Sequence, residues 1–516
     1  MSCNYIKGFF TLAVLKVAFI NLVGGGIYGL GIGFVPIHTT FVEISQNCTL
    51  YESSEACDTV SGTTCRWGYT NVTSKAECLF TDVGDCRVFN GTTSDQCSML
   101  PYCVWSYDDK LCQHAAGYSA IESGIFSGAM IVGGLIGSLI IPNIVNRFGR
   151  KKCMIGIGVV SILSSILVHI ASKTYLYGLL IAARILFGIA MGALCCVGPM
   201  YVDEMVSDDY HKPVGVLFQV FCTFGIMLAA LVGLLLNPTD FTADVNMPAR
   251  FQGFDAIVTL YSVLVLFAGI TMEESTKWLR DGGAAAQQST EVVVSKDPTT
   301  PTKPTLSWSG MKLPLFVAFC LCVAQQMTGI NAIMNYAPNI TKSMNLKPLT
   351  GNFIVMVWNF VTTLASIPIA SRVSMRRMFL TGTLIASLAC LCTGIPVYPG
   401  VTTNTIRSAL SGVGIAVFIA AFEIGMGPCF YVLSQILFPE WFRNRGSSFT
   451  MVTQFLFNIM INVVFPIAVV AISGGISGDQ NKGMGITFIF FGVCGLLSFV
   501  VLLKFMEPYE GTSGRP

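Results

Sequence analysis

The stretch QQMTGIN, at residues 325–331, places four polar side chains inside an apolar run that extends from Leu313 to Pro338. The run is long enough to cross a lipid bilayer as a helix. Amides and hydroxyls in hydrocarbon cost free energy unless they face a cavity, a partner helix or a polar ligand. The stretch therefore predicts a membrane helix that carries a polar binding site.

The positions of these amides predict that the helix is not straight. On an ideal α-helix, Gln325 and Tyr336 share one face. Asn331 lies on another face, and Gln326 lies on neither. Gly329 separates the two groups, and solute carriers build midplane binding sites from helices that are interrupted in this way. We therefore predict a substrate-binding helix that is broken or twisted at Gly329.

The composition of the whole chain agrees with a membrane protein. Its 516 residues are 53% hydrophobic and only 11% charged, which is too apolar for a soluble globule. A net charge of +2 gives no indication of a nucleic-acid partner, and we expect none. No phosphate-binding Gly-x-x-x-x-Gly-Lys-Ser/Thr motif occurs, so we expect neither nucleotide nor any other cofactor, and no metal site. The chain is predicted to be all-α, embedded in the lipid bilayer, and not an enzyme.

Twelve apolar runs predict twelve transmembrane helices. Residues 1–16 superficially resemble a signal peptide, but cleavage would remove the glycine-rich segment 24–29 and one span of an even set, so we expect retention. We place the first span at about 17–37. The others lie at roughly 121–145, 153–172, 175–200, 213–236, 254–272, 313–338, 351–370, 378–398, 408–437, 448–473 and 484–505.

A cysteine-rich loop at 38–118 follows the first span. It contains Cys48, Cys57, Cys65, Cys78, Cys86, Cys97, Cys103 and Cys112. Sequons at Asn47, Asn71 and Asn90 predict that the loop is extracellular, oxidised and glycosylated. The sequence does not reveal which cysteines pair. A zinc site is less favoured because the loop has no close Cys-x-x-Cys pair and little histidine.

Two internal echoes indicate repeats within this chain. In the loop, the Cys-to-Trp-to-Cys pattern of 57–78 returns at 97–112, which predicts two small disulfide-stapled units. In the membrane part, RFGRK at 147–151 returns in degraded form at 372–377. Pairs of glycines four residues apart predict close helix packing. These pairs are Gly124/Gly128, Gly133/Gly137 and Gly188/Gly192.

The positive-inside rule then sets the orientation, with both termini cytoplasmic. The basic residues that this orientation places on the cytoplasmic side are Arg147, Arg150, Lys151, Lys152, Arg372, Arg376, Arg377, Arg443 and Arg445. We divide the chain into a six-helix half at 1–272, a cytoplasmic linker at 273–311, and a second six-helix half at 312–516. Parallel six-helix pseudo-repeats are the architecture of the major facilitator fold, which holds its ligand between the halves.

Several motifs resemble one family. The chain is similar to the sugar porters of the major facilitator superfamily, and most similar to the hexose transporters of trypanosomatid parasites. The cysteine-rich loop points to the trypanosomatid branch. The resemblance rests on RFGRK at 147–151, PMYVDE at 199–204, EESTKWL at 273–279, QQMTGIN at 325–331 and FEIGMGP at 422–428.

The resemblance implies a set of sugar contacts, most of them amides. An amide side chain both donates and accepts, so it suits the paired hydroxyls of a pyranose without adding a charge. Gln454 and Asn458 also stand four residues apart and share a helix face. A single membrane glutamine such as Gln219 is about as often a link between helices. The implied contacts are Gln219, Gln325, Gln326, Asn331, Asn359, Tyr431, Gln454 and Asn458.

The chain departs from the family at some of these positions. Tyr431 stands where the family has a tryptophan, which preserves an aromatic surface for the sugar ring. Asn146 stands where the family usually has an acid, directly before RFGRK at 147–151. The corresponding motif at 372–377 is also incomplete. Charges within spans, Arg184 and Glu423, are expected to have partners or a wet cavity. We assign gating roles to Arg147, Arg150, Glu204, Glu423 and Tyr336.

These observations predict a hexose transporter, for glucose and possibly fructose, that works by alternating access in the plasma membrane. In proton-coupled sugar porters the family places an acid in the first span, and here that position falls near Leu30 or Gly31. We therefore expect facilitated diffusion. The alternatives are a proton-coupled sugar symporter and, in another class, a transporter-like nutrient receptor, although the tail after Met506 is short. The preferred hexose, protein partners and oligomeric state stay open.

Overall fold

The computed structural model describes most of the membrane part and parts of the cysteine-rich loop. The described residues are 12–55, 57, 65–69, 76–80, 86, 96, 103–106, 111–114, 116–174, 176–206, 208–237, 246–280, 308–335, 347–370, 372–398, 404–439, 442–475 and 478–506. Tyr336, Asn71, Asn90 and residues 281–307 of the predicted linker lie outside them.

Within these residues, twelve helices are long and apolar enough to cross a membrane, as predicted. The first six are α1 Leu12–Gln46, α2 Ala120–Phe148, α3 Arg150–Thr174, α4 Tyr177–Met205, α5 Asp208–Leu236 and α6 Met247–Thr271. A short helix, Thr276–Arg280, follows. The second six are α7 Lys312–Met327, α8 Pro348–Ala370, α9 Met375–Val397, α10 from Asn404–Ala421 through the π-helical turn Phe422–Met426 to Gly427–Ile436, α11 Arg443–Ser473 and α12 Gln480–Phe505.

The outer faces of the helices are apolar. Leu235, Leu497 and Val500 are 67%, 64% and 63% exposed. Large aliphatic side chains would lose free energy in water at such exposure, but not against lipid. The faces therefore suit a bilayer, and the chain is a multi-pass membrane protein.

The two halves repeat one packing pattern. In the first half α1 packs on α5, α2 on α4 and α3 on α6. In the second half α7 packs on α11, α8 on α10 and α9 on α12, which are the same pairs six helices later. Between the halves α2 packs on α11 and α5 on α8, and these two contacts are also related by the repeat. The predicted arrangement of two six-helix pseudo-repeats is confirmed.

Glycines let α2 and α4 meet at backbone distance. A Cβ on Gly133 would lie 2.0 Å from the carbonyl oxygen of Ile185, and one on Gly192 would lie 2.0 Å from that of Gly134. Any larger side chain would force the helices apart. The packing role predicted from the glycine spacing is therefore confirmed at this crossing.

α1 is longer than the predicted first span. The prediction ended at Ile37, whereas the helix continues to Gln46 and includes His38 and Glu43. His38 is buried; its ring stacks on Phe34 with centroids 5.1 Å apart, and its Nε2 lies 3.3 Å from Tyr118 Oη. Only the predicted end was wrong, because the apolar run stops at His38 whereas the helix continues. Aromatic packing keeps His38 inside the bundle.

The cysteine-rich loop contains two small hairpins. Strand β1 (Cys65–Tyr69) pairs antiparallel with β2 (Ala76–Phe80), and β3 (Cys103–Ser106) pairs antiparallel with β4 (Leu111–His114). The disulfides are Cys48–Cys65, Cys57–Cys78 and Cys86–Cys103, and Cys112 is disulfide-bonded as well. The predicted staple of the first unit is confirmed by Cys57–Cys78, whereas Cys97 of the second unit lies outside the described residues. A zinc site is excluded at these cysteines because their sulfurs are in disulfides.

Candidate functional site

α7 is broken at Gly329, as the sequence predicts. The helix ends at Met327, and helical geometry resumes over residues 330–335. Gly329 has φ +87°, and its N–H donates to the carbonyl oxygen of Gln326 at 3.0 Å. A Cβ atom on Gly329 would lie 2.3 Å from Cδ2 of Phe491. The left-handed backbone and the close ring together require glycine here.

The break joins two amides that an ideal helix would separate. Asn331 Nδ2 donates to Gln326 Oε1 across the turn. Gln325 Oε1 is buried and has no donor among the described residues. A buried acceptor without a donor costs free energy, so such an atom marks a place for a polar ligand or water. α7 therefore offers an unpaired carbonyl oxygen directly before its break.

α11 presents a second polar surface. Gln454 and Asn458 lie one helical turn apart and are buried, as their spacing predicts. Gln454 Oε1 has no donor within the described part of the chain. Asn458 Oδ1 accepts a hydrogen bond from Asn462 Nδ2. The predicted shared face is thus present, and one of its oxygens is unpaired.

A buried carboxylate gathers donors from both halves of the molecule. Gln219 Nε2 on α5 donates to Glu423 at 3.0 Å. Asn359 Nδ2 and Thr363 Oγ1 on α8 donate to the same carboxylate, each at 3.1 Å. Glu423 lies in the π-helical turn of α10, a local widening that is frequent at functional sites. The expectation that Glu423 has partners is confirmed.

These contacts change how three predicted residues are understood. Gln219 and Asn359, predicted to contact sugar, place their amide nitrogens on Glu423, and Asn359 Oδ1 has no donor among the described residues. Glu423, assigned to gating, lies beside these predicted sugar contacts. Thr363 was missed because a threonine in an apolar span usually bonds its own helix backbone and gives no separate signal.

Tyr431 belongs to a group of aromatic rings. It is buried on α10 and meets Phe218 of α5 edge to face, with centroids 5.4 Å apart. Phe218 lies tilted against Tyr28 of α1 at 6.5 Å. Tyr28 and Phe218 were missed because aromatic residues in apolar spans are more often simple packing. The three rings thus form a continuous aromatic contact from α1 and α5 of the first half to α10 of the second half.

The predicted sugar contacts are shielded from the surface. Seven are buried and Asn331 is half-buried. Asn359 connects the group at Glu423 to the segment beyond the break, because its Nδ2 lies 3.5 Å from Met334 Sδ. The buried seven are Gln219, Gln325, Gln326, Asn359, Tyr431, Gln454 and Asn458.

A second polar cluster lies at one end of the first half. Arg150 Nε donates to Glu204 Oε2 at 2.7 Å, and Nη2 donates to Oε1, so the buried ion pair is two-pronged. Glu274 accepts from the backbone N–H of Arg150 at 2.7 Å and caps the start of α3. Arg147 is exposed, with its guanidinium 5.4 Å from the ring of Phe148. Because α3 and α4 belong to one half, the ion pair itself does not join the halves.

Arg184 on α4 is buried without an acid. Its Nη1 donates to the carbonyl oxygen of Gly31 at 2.9 Å, and its guanidinium lies 5.2 Å from Phe34 and 5.1 Å from Phe126. No carboxylate lies within ion-pair distance of it in the described ranges. Cation–π contacts and one carbonyl take the place of the expected partner.

Comparison with solved structures supports the fold. The proton:xylose symporter XylE of E. coli, bound to 6-bromo-6-deoxy-D-glucose, aligns with a TM-score of 0.66. The alignment covers 95% of this chain and 95% of that one at 18% identity. At that identity the likeness shows the architecture of the major facilitator superfamily.

Comparison of sequences shows the family. Residues 17–507 match the family described as "Sugar (and other) transporter". Glucose transporter 2A of Trypanosoma brucei brucei is 43% identical over 507 residues, covering 98% of this chain and 89% of that protein. Glucose transporter HT1 of Trypanosoma vivax is 39% identical, covering 98% and 88%. The chain therefore belongs to the sugar transporter family and is similar to the glucose transporters of trypanosomatid parasites.

Proposed function

We propose that the protein carries hexoses, with glucose as the main substrate, by alternating access between its two six-helix halves. The observation that carries the proposal is the set of buried amide oxygens that have no donor among the described residues, on Gln325, Asn359 and Gln454. They come from α7, α8 and α11, and each suits a sugar hydroxyl. The names of the trypanosome relatives support glucose as the substrate.

The remaining predicted contacts complete the proposed site. Gln326, Asn331 and Asn458 supply further amide atoms, and Tyr431 supplies an aromatic surface for the apolar face of the ring. Gln219 acts through Glu423, whose carboxylate accepts its amide hydrogen. Because Glu423 bonds α5 of one half and α8 of the other, it also fits the assigned gating role.

The gating role of the other charged residues is proposed for one end of the first half. Arg150 and Glu204 form an ion pair there, and Arg147 is exposed beside Phe148. We also propose a gating role for Tyr336, which directly follows residues 330–335 in the sequence.

Orientation and cellular location follow from chemistry. The proposed linker, 273–311, and the arginine-rich loops share one face of an even-numbered bundle, which we assign to the cytoplasm together with both termini. The disulfide-bonded hairpins then lie outside the plasma membrane, where thiols oxidise. Asn47 stands directly after α1, beside Cys48, and we propose it for glycosylation together with Asn71 and Asn90.

We propose facilitated diffusion rather than proton coupling. The position where the family's proton-coupled members carry an acid is at or next to Gly31 here, and Arg184 is bonded to its carbonyl oxygen. His38 and Glu423 are buried titratable groups, so coupling is the alternative that the experiment addresses.

The test is uptake of a non-metabolised D-glucose analogue by a transport-null cell that expresses the protein. Saturable uptake that stops at the external concentration, with or without a protonophore, supports the proposal. Accumulation above that concentration, abolished by the protonophore, would identify a symporter. Absence of sugar uptake by protein present at the surface would refute sugar transport.

A further inference from the structure

A chain of three asparagines connects the candidate site to the far side of the α7 break. Asn335 Nδ2 donates to Asn462 Oδ1. Asn462 Nδ2 donates in turn to Asn458 Oδ1, and to the backbone carbonyl of Asn458 at 2.9 Å. Asn335 is 8% exposed, Asn462 is 2% exposed and Asn458 is 3% exposed. Asn458 is a proposed sugar contact, whereas Asn335 and Asn462 have no role in the proposed function.

The direction of these hydrogen bonds gives the chain one open end. Asn335 and Asn462 each use an amide hydrogen on the next oxygen along the chain, and Asn458 is the last acceptor. The Nδ2 group of Asn458 thus stays available to a sugar oxygen. Neighbouring hydrogen bonds polarise one another in a low-dielectric interior, so a ligand on Asn458 affects the bonds behind it.

The segment that Asn335 belongs to depends on side-chain contacts for its position. Residues 330–335 follow the left-handed turn at Gly329, after the helix Lys312–Met327 has ended. Asn331 donates to Gln326, Met334 Sδ accepts from Asn359 Nδ2, and Asn335 donates to Asn462 on α11.

We propose that Asn462 is a positioning residue that holds residues 330–335 against α11 and makes their position depend on whether Asn458 is bound to sugar. The hydrogen bond from Asn335 to Asn462 holds residues 330–335 against α11, which we call the closed position. Sugar binding to Asn458 changes the strength of this hydrogen bond and therefore the population of the closed position. This coupling rests on the proposed function, because it takes Asn458 as a sugar contact. By linkage, loss of the bond also changes the affinity for sugar.

The test measures closure directly by thiol labelling. Ile333 is 1% exposed in the segment, so Ile333→Cys reports its opening to a membrane-impermeant maleimide applied outside the cell. Asn462→Ala and Asn335→Ala, each in that background, are expected to raise the labelling rate about two- to ten-fold. This is the fold-change that corresponds to the loss of one neutral hydrogen bond. The double variant should label no faster than the single ones, because both remove the same bond.

Two controls accompany the labelling. The parent protein without the introduced cysteine provides the background of native thiols. Asn352 on α8 is 1% exposed, and its amide has no hydrogen-bond partner among the described residues. Asn352→Ala therefore removes a buried asparagine that is not one of the three hydrogen-bonded asparagines. Its labelling rate should equal that of the Ile333→Cys parent. If Ile333→Cys fails to reach the surface, Ile330→Cys, also buried, replaces it.

The second readout is sugar dependence. D-glucose should change the labelling rate in the Ile333→Cys parent, L-glucose should not, and Asn462→Ala should reduce the response to D-glucose. Equal labelling rates in the parent, Asn462→Ala and Asn335→Ala, or additive increases in the double variant, would overturn the proposal. A faster rate in both single variants with no response to D-glucose would keep the closure but refute the link to this sugar, and uptake assays would then decide the proposed function separately.

Discussion

α1 and α7 occupy equivalent places in the two halves, yet they are built differently. α1 is one unbroken helix of 35 residues, and it packs on α5. α7 packs on α11 in the same way but breaks after 16 residues. The glycines differ accordingly: a Cβ on Gly29 would lie 1.8 Å from the carbonyl oxygen of Cys222 on α5, whereas Gly329 forms a left-handed turn.

Their polar groups differ in the same way. In α1, Asn21 Nδ2 donates to the backbone carbonyl of Val214 on α5 at 3.1 Å, so it joins two helices. In α7, Gln325 Oε1 has no donor in the part of the chain that the structure describes, and Asn331 donates to Gln326 across the break. The repeat thus provides two similar scaffolds, and the proposed sugar site lies on the one that is broken.

The largest effect is expected at the break. Gly329→Ala places a side chain on a left-handed backbone, at about 1–2 kcal/mol, and against Phe491, at about 1–3 kcal/mol more. We expect uptake to fall below detection. Gly156→Ala is the matched control, because nothing lies within 4 Å of its Cβ. Uptake and surface biotinylation check the outcome, and normal transport by Gly329→Ala would show that the break is dispensable.

A smaller loss, of a different kind, is expected from the α1 glycines. Gly29→Ala would force α1 away from the backbone of α5, at about 1–3 kcal/mol. We expect less protein at the surface but an unchanged KM in what remains. A Cβ on Gly24 would lie 3.3 Å from the flexible end of Leu194 and 3.6 Å from Cε2 of Phe218, so Gly24→Ala should be tolerated. A raised KM in Gly29→Ala would give α1 a binding role and weaken the contrast with α7.

The amides of α7 should affect affinity without affecting folding. Gln325→Ala and Asn331→Ala each remove hydrogen bonds worth about 0.5–1.5 kcal/mol, so the KM for D-glucose should rise several-fold. Surface amount should stay near that of the wild type. Concentration-dependent initial uptake rates measure the change. Wild-type KM in both variants would remove α7 from the proposed site.

The smallest effect is expected from the structural amide of α1. Asn21→Ala removes one hydrogen bond between helices, about 0.5–1.5 kcal/mol of stability. The Tm of the solubilised protein should fall by a few degrees while KM stays unchanged. The Oδ1 atom of Asn21 is buried without a donor among the described residues, so a rise in KM would place it at the sugar instead.

Features set by local chemistry were predictable from the sequence. The break at Gly329 followed from amides on incompatible helix faces, and close helix packing followed from glycine spacing, although the spacing did not indicate which helices meet. Contacts between distant segments were not predictable. Gln219 and Asn359 lie 204 and 64 residues from Glu423, and neither spacing indicates that they meet. The family resemblance supplied these residues as sugar contacts but not their common carboxylate.

The sequence by itself determined that the chain spans a membrane twelve times, that it repeats in two halves, and that one helix carries amides around a glycine. These follow from hydropathy, spacing and the cost of polar groups in hydrocarbon. Only the tertiary structure decided which cysteines pair, that α1 continues past His38, that Arg184 is held by a carbonyl and two rings, and that Asn462 joins Asn458 to the part of α7 beyond its break. Each of these depends on atoms that come together only when helices far apart in the chain pack side by side.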